Sequence, residues 1–130
     1  MQRMVLIIDD NENDVFITKR VLSKIDPELR TEAALSGAAG LKLLRGGTGL
    51  PALILLDLKM TGVSGFDTLR QIRADALLRN IPVVVVTSSS LESDMTEAYA
   101  AGANSLVYKS VDTEQFILDL KHVLERWIEG

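Results

Sequence analysis

Polar side chains of complementary charge stand directly after the most apolar stretches of this chain. Four such stretches end in this way, and the residues that follow or close them are Asp9-Asp10, Asp57, Thr87 and Lys109. Three carboxylates held close together repel one another, so they stay ionised only when a cation compensates them. Oxygen ligands suit Mg²⁺, which binds one or two carboxylates together with water and phosphate. The pattern therefore indicates a magnesium site that binds phosphate.

Asp57 is the candidate nucleophile of this set. A carboxylate can accept a phosphoryl group, while a metal ion and Lys109 neutralise the charge that develops on the phosphoryl oxygens. Thr87 adds a short hydroxyl donor. A lone aspartate after a strand is more often a helix cap or a turn residue. Four matched strand ends favour a shared site instead, because the carboxyl ends of parallel strands lie along one edge of a sheet.

Strand-like and helix-like segments alternate along the chain. Strands are predicted where the sequence is continuously apolar or rich in β-branched residues, at 4–8, 31–35, 53–56, 83–86 and 105–108. The second of them is the least apolar and is expected at an edge. An amphipathic helix follows each strand, with its apolar residues near the 3.6-residue period. This order predicts a parallel sheet with helices on both faces and right-handed connections.

Local signals predict where the helices begin. Pairs at the spacing of a capping box, or of a weaker form of it, are Ser64 with Asp67, Ser89 with Glu92, and Asp112 with Gln115. Asn11 or Asn13 can cap the first helix, and Val111 with Phe116 can form a hydrophobic staple at the last. The second helix carries its apolar residues at Leu41, Leu43 and Leu44.

The last helix is apolar on two sides. Phe116, Leu120, Val123 and Trp127 are predicted to face the core, and a second side carries Ile117, Leu124 and Ile128. That second side either forms a homodimer contact or packs against a neighbouring element. His122, the one histidine of the sequence, lies off the core stripe and is predicted at the surface.

Size and composition limit the classes of function. The chain has 130 residues and fits one domain, 1–130, without an output domain. Its net charge is -4 and its basic residues are scattered, which argues against a nucleic-acid partner. It contains no cysteine, which excludes disulfides, thiolate catalysis and zinc–thiolate sites. No stretch is long enough for a signal-peptide core or a membrane span, so a cytoplasmic protein without a membrane partner is expected.

Together these features resemble the receiver domain of two-component response regulators, the CheY-like family. The likeness covers essentially the whole chain and depends on the joint spacing of Asp9-Asp10, Asp57, Met60-Thr61-Gly62 through Gly65, Thr87-Ser88 and Lys109. It implies a flavodoxin-like, doubly wound α/β fold of (βα)5 type, with a five-stranded parallel sheet in the order 2-1-3-4-5. The loop 10–14 and the run 87–90 are most similar to free-standing receivers, including those paired with bacterial phytochrome kinases.

The resemblance assigns roles to these residues. Asp57 would be the phospho-acceptor, Lys109 and Thr87 would bind the phosphoryl oxygens, and the small Ser88 would leave space above them. The expected ligands of Mg²⁺ are the carboxylates of Asp10 and Asp57, the backbone carbonyl of Lys59 and, mainly through water, Asp9. The donor would be a phosphohistidine on a sensor histidine kinase or a histidine phosphotransfer protein. The phosphorylated domain would bind an unknown downstream protein and catalyse at most its own phosphorylation and dephosphorylation.

Three departures from the family pattern leave alternatives open. Ser110 replaces the proline that usually follows the site lysine through a cis bond, and a cis bond before another residue costs about 3 kcal/mol. Thr61 replaces a loop proline, and Leu106 replaces the usual switching aromatic residue. One alternative is therefore a constitutive docking module with weak phosphorylation. Another is a Mg²⁺-dependent phosphatase, although Lys59 stands where such enzymes want a second aspartate.

Overall fold

The computed structural model describes residues 3–46, 49–60, 62, 64–109 and 112–129. Strands and helices alternate within them as predicted. The strands are β1 (Met4–Ile8), β2 (Arg30–Ala34), β3 (Leu53–Leu56), β4 (Val83–Thr87) and β5 (Ser105–Tyr108). The helices are α1 (Glu12–Ile25), α2 (Gly37–Arg45), α3 (Gly65–Ala74), α4 (Glu92–Ala101) and α5 (Thr113–Leu124), which continues into a π-helical turn over Glu125–Glu129.

All strand pairs are parallel, and the sheet order is β2-β1-β3-β4-β5. The flavodoxin-like fold and the strand order are therefore confirmed. The central strands β1, β3 and β4 are buried almost throughout, because helices cover both faces of the sheet. The edge strand β2 is mostly half-exposed, as its lower apolar content predicted. None of the described helices is long and apolar enough to cross a membrane.

Alternate side chains of the strands enter two cores on opposite faces of the sheet. One core joins the strands to α2, α3 and α4, and the other joins them to α1 and α5. In β1, for example, Leu6 and Ile8 point to the first core, whereas Val5 and Ile7 point to the second. The sheet is thus held from both sides, and its carboxyl edge is left to the connecting loops.

Several predicted helix starts are confirmed by hydrogen bonds. The side chain of Asn11 accepts a hydrogen bond from the backbone N–H of Asp14, and that of Ser64 accepts one from Asp67. At α5, the side chain of Asp112 accepts from the backbone of two residues of the first turn, Glu114 and Gln115. The proposed staple residue Val111 lies outside the described residues, as do Thr61 and Ser110.

One local prediction is wrong. Ser89 does not cap α4, because the residue at its N-cap is Leu91, which makes no side-chain cap hydrogen bond. The Ser89 hydroxyl donates instead to the carboxylate of Asp94, which is five residues further on. On α2, Leu43 is 43% exposed, since only Leu41 and Leu44 of its leucines turn toward the core.

The second apolar side of α5 packs within the domain. Leu124 is buried, and Ile117 and Ile128 pack partly buried against the core that α1 and α5 share. The physical reason is that α1 lies beside α5, so α5 needs a wider apolar face than one stripe. Of the two alternatives, packing against a neighbouring element of the same domain accounts for these residues. His122 is exposed, as predicted.

Candidate metal and phosphate site

The predicted acidic residues meet at the carboxyl edge of the sheet. Ile8 and Leu56 are register partners in β1 and β3, and the backbone N–H of Asp57 donates to the Ile8 carbonyl over 2.9 Å. Asp9 and Asp57 therefore leave adjacent strands side by side. One carboxylate oxygen each of Asp9, Asp10 and Asp57 lies within 4.8 Å of the others. Asp9 and Asp57 are buried, and Asp10 is partly buried.

Lys109 brings a positive charge to this cluster from β5. Its backbone N–H donates to the Thr87 carbonyl over 2.7 Å, which fixes the start of the side chain beside β4. The Nζ atom lies 2.9 Å from Asp9 Oδ2 and 3.4 Å from Asp57 Oδ1. A further carboxylate, that of Asp14 in the first turn of α1, also lies 2.9 Å from Nζ. Asp14 was missed as a site residue, although its place in the acidic loop 10–14 was a usable signal.

The charges of the site do not balance. The pKa of Asp57 is raised to about 6, chiefly by burial; the nearby charge of Lys109 lowers it, and those of Asp9 and Asp10 raise it. Burial alone would lower the pKa of Lys109, but hydrogen bonds to Asp9 and Asp14 more than offset this, so its pKa is raised and the ammonium stays charged. Carboxylates thus outnumber the ammonium. This surplus of hard oxygen ligands fits a divalent cation such as Mg²⁺.

A glycine fixes the loop that follows the candidate nucleophile. A side chain at residue 65 would collide with the backbone carbonyl of Asp57 and with the backbone of Leu58. The N–H of Gly65 also donates to the Leu58 carbonyl over 3.0 Å. The start of α3 is therefore packed directly on the backbone of Asp57, which explains why glycine stands at this point of the sequence motif.

The hydroxyl residues of the predicted site lie at the end of the neighbouring strand. Thr87 is buried, two residues beyond the Val85 that pairs with Leu56, and Ser88 is exposed. Thr87 Oγ1 accepts a hydrogen bond from the backbone N–H of Ser89 over 3.1 Å. Leu106, at the position of the usual aromatic residue, packs partly buried against the core on the α4 side.

Lys59 reaches away from the acidic cluster. Its Nζ atom lies 3.2 Å from Asp94 Oδ2 in α4, and the Ser89 hydroxyl donates to the same oxygen over 2.6 Å. The hydrogen bond from Ser89, followed by that from Lys59, lowers the pKa of Asp94. This connection between the loop after Asp57 and α4 was not predicted. The expected role of the Lys59 carbonyl as a metal ligand stays a prediction.

Comparison with known proteins identifies the family. Residues 5–121 match the family model of the response regulator receiver domain. The chain belongs to this family. This match confirms the resemblance drawn from the sequence motifs. Receiver domains are signalling modules. The match extends from β1 into α5 and contains all of the predicted site residues.

Individual relatives are similar over almost the whole receiver domain. The probable methanogenesis regulatory protein FilR2 of Methanothrix harundinacea is 33% identical over 129 residues, which cover 96% of this chain and 83% of FilR2. The crystal structure of the phosphorylated cyanobacterial phytochrome response regulator RcpA superposes with a TM-score of 0.90 at 26% identity, covering 98% and 95% of the two chains. The Mn²⁺-bound response regulator Rcp1 superposes with a TM-score of 0.87 at 26% identity, covering 98% and 96%.

Proposed function

We propose that this receiver domain accepts a phosphoryl group on Asp57 and thereby switches a protein-binding surface. One observation carries the proposal. The carboxylate of Asp57 lies in a buried cluster with two further carboxylates and with the ammonium of Lys109 3.4 Å away. A nucleophile, ligands for a metal ion and a cation for the phosphoryl oxygens are thus next to one another. The crystal structure of RcpA in its phosphorylated form supports the same chemistry in a similar domain.

The donor in this proposal is a phosphohistidine of a sensor histidine kinase or of a histidine phosphotransfer protein. An oxygen of Asp57 forms a bond to phosphorus, the P–N bond breaks, and the imidazole leaves with the electron pair and takes up a proton. Lys109 is oriented for this step by Asp9 and Asp14, each 2.9 Å from its Nζ atom. The ammonium then binds a phosphoryl oxygen, and the hydroxyl of Thr87 donates to another.

Mg²⁺ is the cofactor that the donor set fits. Its proposed ligands are the carboxylates of Asp10 and Asp57 and the backbone carbonyl of Lys59, with Asp9 bound mainly through water. A divalent ion bound there neutralises charge on the phosphoryl oxygens. The structure of Rcp1 with bound Mn²⁺ supports a divalent ion in a domain of this kind. The carboxylates of this chain supply the oxygen ligands that such ions prefer.

Phosphorylation acts on the surface through the loop that follows β4. A phosphoryl group adds negative charge and acceptor oxygens beside Thr87, and this favours movement of the Thr87 side chain toward them. The loop 88–90 follows Thr87 directly and leads into α4, so both would move with Thr87. The downstream partner is a protein that distinguishes the two arrangements. A cytoplasmic location remains a prediction.

Labelling with a small phosphodonor tests the proposal. We expect the protein to gain one phosphoryl mass when it is incubated with acetyl phosphate and Mg²⁺, because the site catalyses its own phosphorylation. The gain should fall to background in Asp57→Asn, which lacks the nucleophilic carboxylate. Intact-mass spectrometry over a time course provides the measurement.

The matched control is Asp67→Asn. Asp67 is an exposed aspartate on α3, paired with Arg70 rather than with the site. This variant should be labelled at the wild-type rate. Persistent labelling of Asp57→Asn, or labelling that does not depend on Mg²⁺, would contradict the proposed roles.

A further inference from the structure

Helix α4 is attached to the domain by very little apolar surface. Asp94 and Ala98 are the buried residues among its 10, and its N-cap residue Leu91 makes no side-chain cap hydrogen bond. The C-terminal end is tied to α3, because the Arg73 guanidinium donates to the Gly102 carbonyl over 2.9 Å. The N-terminal end lies next to the phosphoryl site. What positions that end is therefore a polar contact rather than hydrophobic packing.

That contact is a chain of polar groups centred on Asp94, which we call the Asp94 bridge. It consists of Asp94, the Ser89 hydroxyl 2.6 Å away and the Lys59 ammonium 3.2 Å away, both on Oδ2. The backbone N–H of Ser89 continues the chain to Thr87 Oγ1, over 3.1 Å. The bridge thus joins the first turn of α4 to two groups beside Asp57. One is the lysine two residues after it, and the other is the hydroxyl proposed to bind the phosphoryl group.

We infer that Asp94 is a positioning residue that restrains phosphorylation of Asp57, by holding Lys59 and the Thr87–Ser89 segment in the unphosphorylated arrangement. This inference rests on the function proposed above. Rotation of Thr87 toward a phosphoryl group removes the acceptor of the Ser89 N–H, so Ser89 must move, and its bond to Asp94 opposes that movement. Asp94 also pairs with a positive charge that would otherwise attract an incoming phosphate.

Both effects have the same sign, so loss of Asp94 should speed labelling. Asp94→Asn keeps the shape and an acceptor for Ser89 but loses the charge that faces Lys59, and we expect an initial rate about threefold above wild type. Asp94→Ala also loses the acceptor, and its rate should rise about fivefold to tenfold. The rates are measured by intact mass with acetyl phosphate and Mg²⁺.

Glu97→Gln is the matched control within the same helix. Glu97 is an acid of α4 that pairs with Arg70 of α3 over 2.9 Å, away from the site. If loosening α4 in general were enough, this variant would also speed labelling. We expect its rate to stay within about twofold of wild type, the range of an exposed ion pair.

A double-mutant cycle separates positioning from a general effect on stability. If Asp94 acts through Lys59, then Asp94→Asn should change the rate little in a Lys59→Gln background, whereas independent effects would multiply. Hydrogen exchange without phosphodonor gives a second readout. The backbone amides of residues 92–95 should exchange faster in both Asp94 variants, and those near Gly102, where Arg73 is intact, should not.

The outcomes distinguish this inference from the proposed function. Wild-type protein that is labelled, with Asp94 variants that are labelled no faster, would overturn the restraint by Asp94. An undiminished effect of Asp94→Asn in the Lys59→Gln background would overturn the route through Lys59. If neither the wild type nor any variant is labelled, the proposed function fails. In that case, unchanged exchange at residues 92–95 in the Asp94 variants would also reject the Asp94 bridge as the contact that positions α4.

Discussion

Arg73 is half-buried and Asp57 is buried, so both carry a charge that is at least partly removed from water, but their surroundings differ. The Arg73 guanidinium donates four hydrogen bonds, all of them to neutral acceptors. These are the carbonyls of Gly102 (2.9 Å), Arg79 (3.0 Å) and Ile81 (2.8 Å) and the side-chain oxygen of Asn104 (2.7 Å). Burial lowers the pKa of Arg73, yet a guanidinium remains charged in proteins. The charge is compensated by the dipoles of these neutral acceptors.

Asp57 has the opposite environment. Its cationic neighbour Lys109 lies 3.4 Å away and is closer to Asp9 and Asp14, at 2.9 Å each. Two further carboxylates, Asp9 and Asp10, share the cluster. Burial and these like charges raise the pKa of Asp57 to about 6. A proton, a metal ion or the loss of the Asp57 charge would therefore stabilise the folded state.

The difference indicates which of the two charges is structural and which is a candidate for ligand binding. A charge whose hydrogen-bonding capacity is met by neutral groups stabilises the fold, and here Arg73 ties α3 to the loop between α4 and β5. A charge left among like charges destabilises the fold, and such an arrangement is retained where a ligand can relieve it. Three changes test this comparison, and they are ordered by the size of the effect expected on the free energy of unfolding.

The largest effect is expected for Arg73→Met, which should lower the free energy of unfolding by about 3 kcal/mol. The substitution leaves three backbone carbonyls without their donor, while Asn104 keeps its hydrogen bond from the Val83 N–H at 2.8 Å. Urea unfolding provides the measurement. Arg79→Met, at an exposed residue, is the control and should change stability by less than about 0.5 kcal/mol. A similar loss in both variants would mean that the Arg73 network is not special.

The second effect has the opposite sign, because Asp57→Asn should stabilise the protein by about 2 kcal/mol at pH 7 without metal. The amide removes a charge that the folded state disfavours, and it leaves Lys109 paired with Asp9 and Asp14. The measurement is urea unfolding in a buffer that contains a chelator. A destabilised variant would show that the attraction to Lys109 outweighs burial and repulsion.

The pH dependence of this difference provides its control. The pKa of Asp57 is about 6 in the folded protein, against an ordinary value of 3.8. Between these two values the folded state binds more protons than the unfolded state, so the contribution of Asp57 to stability falls as the pH rises. The advantage of Asp57→Asn should therefore be complete above pH 6 and shrink toward zero near pH 4. An advantage of the same size at pH 4 and pH 7 would assign it to packing instead.

That the candidate site residues would lie close together could be predicted, because strand ends carry them. The continuous apolar runs fixed β1, β3 and β4 to within a residue, and the parallel topology then required Asp9 and Asp57 to meet. Helix starts could also be predicted where a single side chain caps the helix, as Ser64 does at α3. The first inference uses the register of neighbouring parallel strands, and the second uses contacts between residues that are close in sequence.

The contacts that tune the site could not be predicted, because they depend on side chains that meet only in the folded chain. Lys109 and Asp14 are separated by 95 residues, and the Ser89 hydroxyl selects Asp94 rather than the helix start. Periodicity placed Leu124 on a second side of α5 but could not say that α1 would cover it. The Arg73 network likewise joins residues that no local motif relates.

The smallest of the three effects is stabilisation by Mg²⁺. A metal ion that binds only the folded state stabilises it by RT ln(1 + [L]/Kd), which is about 1.4 kcal/mol at a free concentration ten times Kd. We expect wild-type protein to gain this amount in urea unfolding at pH 7, because the ion relieves repulsion among Asp9, Asp10 and Asp57. Asp57→Asn should gain less at the same concentration, since it has one carboxylate fewer and less repulsion to relieve.

Arg73→Met completes the comparison between the charges of Arg73 and Asp57. Arg73 takes no part in the acidic cluster, so this variant should gain as much from Mg²⁺ as wild type although it starts from a lower stability. Ca²⁺ at the same concentration measures how far the site selects between ions, since Mg²⁺ demands stricter geometry. An equal gain from Mg²⁺ in wild type and in Asp57→Asn would locate the binding outside the cluster. The raised pKa of Asp57 would then reflect its burial and not a site built for a cation.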